Sequence, residues 1–477
     1  MRTLSDLASE SGVVFGTSGA RGLVERMTGP VCAAYVRAFL SAVGRDGPVS
    51  RVALGIDLRP SSARIAAACA AAMHGRGVQV DYCGVLPTPA LALHAMRHGI
   101  PAVMVTGSHI PFDRNGLKFY RPQGEITKAD EAAMAAVALQ PEPDAVPAAL
   151  PPCNPQALQA YARRYLDVFP VGMLQGWRIG VYQHSSAARD VLAEVLRALG
   201  AEVIVLGRTD TFVPIDTEAV SPEDEARGRA WAREHRLDAL VSTDGDGDRP
   251  LLGDENGAWL RGDLVGLACA RYLGLGAVAV PVSCNTAIEA SGAFRRVVRT
   301  RIGSPHVIAA MQSLAQEGCG VGGFEANGGF LLGSPVEVNG GTLAPLPTRD
   351  AMLPVLAVLA AAQEAGTRLS GLMGDLPGRF THSDRVQDFT TARSSDLIAQ
   401  WAREPQGLLS AAGLEPPGFV AVDRTDGLRL TGQDGDIIHL RPSGNAPELR
   451  CYCEADSPVR ARQLVASTMR HLLSVKG

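Results

Sequence analysis

The chain has 477 residues, of which 46% are hydrophobic and 20% charged, with 52 glycines and 31 prolines. This is length for about three or four domains with sizeable cores, which excludes wholesale disorder and a fibrous architecture. The net charge of −4 implies no strongly basic face, so general nucleic-acid binding loses support and an anionic substrate would need a local cluster of cations.

Segments of strand and helix character alternate in chain order. Val52 to Ile56 reads as a buried strand, and Ser61 as the cap of a helix carrying Ile65, Cys69 and Met73, stopped by Gly75 or Gly77. Val78 to Tyr82 is a second strand, Leu91 to Met96 part of a second helix, and Pro101 to Val105 a third strand running into Thr106-Gly107-Ser108-His109. The order returns with a strand at Trp177 to Tyr182, a helix at Arg189 to Leu199, a strand at Ala201 to Leu206, a charged helix at Pro222 to His235 and a strand at Leu237 to Ser242. That last strand opens into Asp244-Gly245-Asp246-Gly247-Asp248-Arg249. A third copy comprises strands at Val278 to Ser283, Val297 to Ile302 and Gly320 to Phe324, with helices at Ala287 to Ala293 and Pro305 to Gln316. It ends in Glu325-Ala326-Asn327-Gly328-Gly329.

Each copy reads as βαβαβ followed by a polar, glycine-bearing loop, and parallel α/β sheets place ligands beyond the carboxyl ends of their strands. The last part differs. Short strands at Leu428 to Thr431, Asp436 to Leu440 and Glu448 to Glu454 precede a helix capped by Ser457-Pro458, with a loop at Arg441-Pro442-Ser443-Gly444-Asn445. The expected fold class is therefore α/β: three tandem βαβαβ-type domains with mixed sheets, plus a C-terminal α+β domain, around a central cleft. Gln140 to Pro155 reads as a linker, and Gly253 to Gly257 and Gly371 to Pro377 as the other seams, giving domains 1–150, 151–253, 254–371 and 372–477.

The nine cysteines form no CxxC pair and read as reduced thiols of a cytoplasmic protein. Cys451 and Cys453 are the closest pair, and the strand pleat is expected to turn them to opposite faces. Asp6 and Glu10 interrupt the N-terminus, so no signal peptide is read. Leu264 to Val280, the best membrane-span candidate, holds Arg271 and several glycines, so no membrane partner is expected.

Asp244, Asp246 and Asp248 can converge on one hard cation, because alternating glycines let a tight loop turn all three carboxylates inward. An EF-hand competes, since Glu255 falls at its twelfth position, but Arg249 stands where that loop needs glycine and a strand precedes it. A solvated acidic turn without metal is the other alternative. Ser108 at a strand end can be presented to a cleft beside His109 and Lys118, although each alone is more often a cap, a packed ring or a surface charge. No G-x-S-x-G is present, so a hydrolase nucleophile elbow is not supported. Glu325 and Asn327 suit vicinal hydroxyls. Arg441, Ser443, Gly444, Asn445 and Arg450 suit a phosphate dianion.

Together these loops, in content and order, resemble the α-D-phosphohexomutase superfamily, with Phe15 to Gly22 similar to its N-terminal signature. The likeness runs from about Phe15 to Tyr452. It implies, in chain order, a phosphoserine-loop domain, a metal-loop domain, a sugar-loop domain and a phosphate-binding domain. It also implies reversible phosphate transfer between O1 and O6 of a hexose. Ser108 would be the phosphoserine, and its phosphoryl group with Asp244, Asp246 and Asp248 would bind Mg²⁺. Arg21 and Arg249 would contact the transferring group, Lys118 would act as general base with His109 assisting, and Arg441, Ser443 and Asn445 would hold the distal phosphate. The implied partners are a hexose monophosphate and a hexose 1,6-bisphosphate, bound by a monomer or dimer.

The loop style points to a phosphomannomutase. A phosphoglucomutase or a dual-specificity mutase is the alternative, and a non-catalytic sugar-phosphate-binding protein or a metal-dependent phosphatase a remoter one. The chain departs from the family pattern at Gly107 and Ile110, at Asn445 and Ala446, and at Asn327-Gly328-Gly329, where the customary serine-glycine-histidine is absent.

Overall fold

The computed structural model describes residues 2–16, 18–139, 149–411, 419–443 and 448–476. The linker expected at Gln140 to Pro155 therefore lies mostly outside the described residues, as do Gly444, Asn445 and Ala446 of the last loop.

The first sheet contains β1 (Val14–Phe15), β2 (Ala20–Leu23), β3 (Arg51–Ile56), β4 (Gln79–Val85), β5 (Ala102–Val105), β6 (Arg114–Arg121) and β7 (Gly124–Glu125). Its order is β1-β2-β6-β5-β3-β4, with β7 paired to β6. The second contains β8 (Arg178–Tyr182), β9 (Glu202–Leu206), β10 (Ala239–Thr243) and β11 (Pro250–Gly253), in the order β11-β10-β8-β9. The third unit has β12 (Ala277–Pro281), β13 (Arg296–Thr300), β14 (Val321–Phe324), β15 (Phe330–Leu332), β16 (Val336–Val338), β17 (Gly341–Leu343) and β18 (Leu346–Asp350). Its sheet runs β13-β12-β14-β15-β18, and β16 and β17 form a separate hairpin.

One plan recurs in all three. Three parallel strands, with the first in the middle, are followed by a strand that folds back antiparallel on the third: β6 on β5, β11 on β10 and β15 on β14. The three polar loops are the turns of these returns. The sequence pattern reveals the parallel strands and misses the returning ones, which are short or carry charge, as Arg114, Lys118 and Arg121 do in β6.

The last sheet is antiparallel throughout: β19 (Phe380–Gln387), β20 (Phe419–Asp423), β21 (Leu428–Gly432), β22 (Ile437–Pro442) and β23 (Glu448–Ala455), ordered β19-β23-β22-β21-β20. Helix Pro458–Ser474 packs on it, with the Ser457 hydroxyl accepting the Arg460 N–H at its start. One apolar core runs continuously from Ala53 through the second and third units to Leu376, whereas the last unit encloses its own, from Val386 to Leu472.

Several local expectations need correction. Ser61 precedes helix Ser62–His74, but its hydroxyl accepts from Asn115 instead of capping the helix. Cys451 and Cys453 do not point apart. Residues two apart on a strand share a face, and their buried sulfurs lie 3.7 Å from each other as thiols. Gly371 lies inside the short helix Leu369–Gly374, so the stretch expected as the last seam begins helical. The stretch from Leu264 to Val280 divides into helix Gly262–Tyr272 and strand β12. Among the described residues no helix is long and apolar enough to cross a membrane.

Two buried rings give the fold an acid limit. The Nε2–H of His184 donates to the Thr243 carbonyl at 2.9 Å, and that of His439 to the Asp426 carbonyl at 2.6 Å. Burial holds both rings down to about 4. The unfolded chain protonates them near 6.5, so below that pH it takes up protons that the native rings refuse. Stability is expected to be full above pH 6.5 and to fall between there and pH 4, by up to about 3 kcal/mol per ring. Melting curves across this range check it: His439→Gln, which keeps a donor, should flatten the slope.

Candidate active site

The first two return loops meet. Ser108 Oγ donates to Asp244 Oδ2 at 2.5 Å, although 136 residues separate them. Gly245 allows this approach, because a Cβ there would stand 2.8 Å from the Ser108 carbonyl oxygen. Two backbone hydrogen bonds fix the aspartate loop from either side: Thr88 N–H to the Asp246 carbonyl and Ala187 N–H to the Gly245 carbonyl, both at 2.9 Å.

Ser108 sits fully buried with φ at +52°, in the left-handed region that costs a non-glycine residue about 1 kcal/mol or more. Its surroundings hold it there. Its N–H donates to Thr106 Oγ1 at 2.8 Å. Arg59, at the carboxyl end of β3, reaches under the loop and donates to the carbonyls of Ser108, Pro111 and Arg114 at 2.7–2.8 Å and to that of Ile110. Asp57 pairs with Arg59 at 3.4 Å and accepts the Gly107 N–H. The glycine at 107 follows from this clamp, since a Cβ there would lie 2.5 Å from Arg59 Cζ. The departure noted in the sequence is therefore structural.

The aspartates divide their oxygens. Lys118 Nζ, on β6, donates to Asp246 Oδ2 at 2.7 Å and Asp248 Oδ2 at 2.6 Å. Thr88 also donates to Asp246 Oδ2, and Arg349 to Asp248 Oδ2 at 3.0–3.1 Å. Asp246 Oδ1 and Asp248 Oδ1 are buried with no hydrogen-bond partner. One ligand oxygen from each aspartate lies within 4.8 Å of the others. Two orphaned acceptors beside a third carboxylate form an oxygen-only set that fits a hard divalent cation.

The electrostatics agree. Burial, with Asp246 and Asp248 beside it, pushes the Asp244 carboxyl well above the usual carboxylate range. Burial would raise Asp248 too, but Arg349, Lys118 and Arg249 together hold it below that range. Glu255 turns away and accepts from Ser370, which removes the EF-hand alternative. Asp81, Cys83 and His94 also bring donor atoms within 4.8 Å of one another. Both Asp81 oxygens are already taken, by Asn154 and His94 at 2.9 Å, so this is a satisfied network.

Around the aspartates lie the cations. His109 Nδ1 accepts from Arg249 at 2.8 Å. Burial, then the charges of Arg249, Arg21 and Arg450, drive the imidazole well below 6.5. This favours the neutral ring, whose Nδ1 is the acceptor for Arg249. Burial beside Arg249 lowers Arg21 to about 10.

In the last unit, Arg385, Arg450 and Arg441 stand directly opposite one another on β19, β23 and β22. Like charges in cross-strand register are unfavourable unless anions meet them. Asp426 pairs with Arg441 at 3.0 Å, and Glu448 lies within 3.6–3.8 Å of Arg450 and Arg385. Ser443 is buried at the end of this row, its N–H bonded to the Glu448 carbonyl. Gly444 and Asn445 lie outside the described residues.

In the third return loop, between β14 and β15, Glu325 accepts from the Gly303 N–H and from Arg349, both at 3.1 Å. Asn327 Oδ1 accepts the Gly329 N–H at 3.0 Å. The structure thus gathers Ser108, His109, Lys118, Arg249 and the three aspartates, with Glu325 joined through Arg349. Sequence reasoning missed Asp57, Arg59, Thr88 and Arg349. The first three follow parallel strands directly, and that position was the available signal.

Comparison with known proteins agrees with this arrangement. Residues 12–142 match the model of phosphoglucomutase/phosphomannomutase alpha/beta/alpha domain I, residues 261–380 that of domain III, and residues 391–471 that of the C-terminal domain. A phosphomannomutase of Salmonella muenchen is 48% identical over 475 residues, covering 99% of this chain and 98% of its own. One of Sinorhizobium fredii is 46% identical, covering 97% and 99%. The crystal structure of a phosphoglucomutase/phosphomannomutase family protein from Burkholderia thailandensis, 19% identical, superposes with a TM-score of 0.73 over 100% of this chain and 98% of that one. With an identity this high along the whole length and three of its domain models matched, the chain belongs to the phosphoglucomutase/phosphomannomutase family of the α-D-phosphohexomutase superfamily.

Proposed function

We propose that this mutase interconverts mannose 6-phosphate and mannose 1-phosphate through a phosphoserine at Ser108 and a mannose 1,6-bisphosphate. The observation that carries the mechanism is the 2.5 Å contact of Ser108 Oγ with Asp244 inside the aspartate loop. The choice of mannose follows the two near-full-length relatives.

The proposed cation is Mg²⁺, held by Asp244, Asp246, Asp248 and a phosphoryl oxygen on Ser108. When bound it neutralises charge on the transferring group. The protein aligns the reactants. Arg21 and Arg249 face the transferring phosphoryl group, with neutral His109 keeping the Arg249 guanidinium in place. The sugar hydroxyl attacks phosphorus as the bond to Ser108 Oγ breaks. Its proton passes to Lys118 as the neutral amine, a form that Lys118 reaches only by giving up the ion pairs it makes with Asp246 and Asp248 in the metal-free chain. Arg441, Ser443 and Arg450, together with Gly444 and Asn445, hold the phosphate already on the sugar. Glu325 and Asn327 take hydroxyls, so the bisphosphate can rebind reversed. The second phosphoryl group then returns to Ser108 Oγ, and the proton returns to the departing sugar oxygen. On this reading the four loops belong to domains 1–150, 151–253, 254–371 and 372–477.

A coupled assay with mannose 1-phosphate and a catalytic amount of bisphosphate tests the reading. Turnover is expected with Mg²⁺ and is expected to vanish after chelation. Efficient use of glucose 1-phosphate with none of mannose 1-phosphate would reassign the hexose, and steady release of inorganic phosphate would indicate a phosphatase.

A further inference from the structure

We propose that Arg349 is a positioning residue for the sugar: it sets Glu325 for hydroxyl binding and ties the sugar loop to the aspartate loop. This rests on the reading of the chain as a hexose-phosphate mutase.

Arg349 stands near the end of β18, and its side chain is 3% exposed. Its guanidinium bridges two loops. Nε and Nη2 donate to Asp248 Oδ2 at 3.1 and 3.0 Å. Nη1 donates to Glu325 Oε2 at 3.1 Å and to Ser304 Oγ at 3.3 Å. Ser304 passes the link on to Glu125 of the first unit at 2.7 Å, and Glu125 returns it to Thr348, beside Arg349, at 2.9 Å. One planar cation therefore joins carboxylates from the second and third units and, through Ser304, a third carboxylate from the first. A fork of fixed geometry holds a carboxylate in one orientation, which a lysine cannot reproduce.

Space for this side chain comes from the sugar loop. A Cβ on Gly329 would stand 2.6 Å from Arg349 Cδ and 2.8 Å from its Cγ. The absence of a side chain at 329 and the presence of arginine at 349 are thus one arrangement: the guanidinium stem fills the space beside Glu325 that a residue at 329 would take. Gly329 has no left-handed φ, so alanine there would act through the steric clash alone.

Isothermal titration of the phosphatase-treated, metal-free full chain with mannose 6-phosphate tests this separately from catalysis. Arg349→Met and Gly329→Ala are each expected to weaken binding about tenfold, the scale of a lost charge-assisted hydrogen bond. The double variant should be no worse than either single one, Arg349→Met should add nothing to Glu325→Gln, and Arg349→Lys should recover part of the affinity. Unchanged affinity in Gly329→Ala and Arg349→Lys, with or without a lower melting temperature, would reduce Arg349 to a structural group. Multiplying effects with Glu325→Gln would also overturn the proposal. Failure of the unsubstituted chain to bind any hexose phosphate would instead remove the mutase reading.

Discussion

Ser108→Ala is expected to lower mutase turnover by at least about a thousandfold while leaving the fold intact. The hydroxyl is the only group lost. Alanine retains the Cβ, the backbone strain at φ +52° and the N–H bond to Thr106 Oγ1. The Arg59 clamp acts on carbonyls and does not sense the side chain. Losing the buried bond to Asp244 should lower stability by about 1–3 kcal/mol, and the larger loss should fall on chemistry. Two measurements check this together: the coupled assay, and intact mass before and after phosphatase treatment. The wild-type chain should carry a removable phosphate and the variant none. Full activity in the variant, or the same removable mass, would place the phosphoryl carrier elsewhere.

Arg59→Met should be almost as damaging by another route. The guanidinium is fully buried, stacks 4.0 Å over the Phe212 ring, and donates to four loop carbonyls while pairing with Asp57. Removing it leaves an unpaired buried carboxylate and several unsatisfied acceptors, a loss of about 3–5 kcal/mol by comparison with other broken buried pairs. The fraction that remains folded should also be poorly active, since a displacement of about 1 Å at a reacting atom can lower a rate about a hundredfold. Arg59→Lys should not rescue, because an ammonium cannot reach carbonyls spread from Ser108 to Arg114. Urea melts give the first effect, and turnover at low temperature, normalised to folded protein, gives the second. Stability within about 1 kcal/mol of wild type with normal turnover would show that the serine loop holds itself.

The chemistry of this site was more legible in the sequence than its support. Strands such as Val52–Ile56 and Ala102–Val105 are continuous apolar runs because both faces are covered, and the loops following them carry unusual residues at short spacing. Both signals are local. The returning strand β6 breaks its apolar run with Arg114, Asn115, Lys118 and Arg121 and lacks that signal, so Lys118 could be singled out without its strand being seen. Arg59 and Arg349 look like any surface arginine in sequence. Their bridging roles depend on partners 49 to 55 and 24 to 101 positions away. The Cys451–Cys453 reading failed on the strand period itself, which puts residues two apart on the same side.

The threefold use of one strand-and-return plan has a consequence for how such a protein can change. A turn between two paired strands can exchange its side chains where its length and turn geometry are kept, since those and the hydrophobic pattern set the register. On the proposed mechanism, donor chemistry, ion ligation and hydroxyl recognition reside in three separate connectors, so a shift in sugar preference can arise in the third without disturbing the other two. Arg349 is the exception, a cross-brace through which an edit at Gly329 is felt at Asp248.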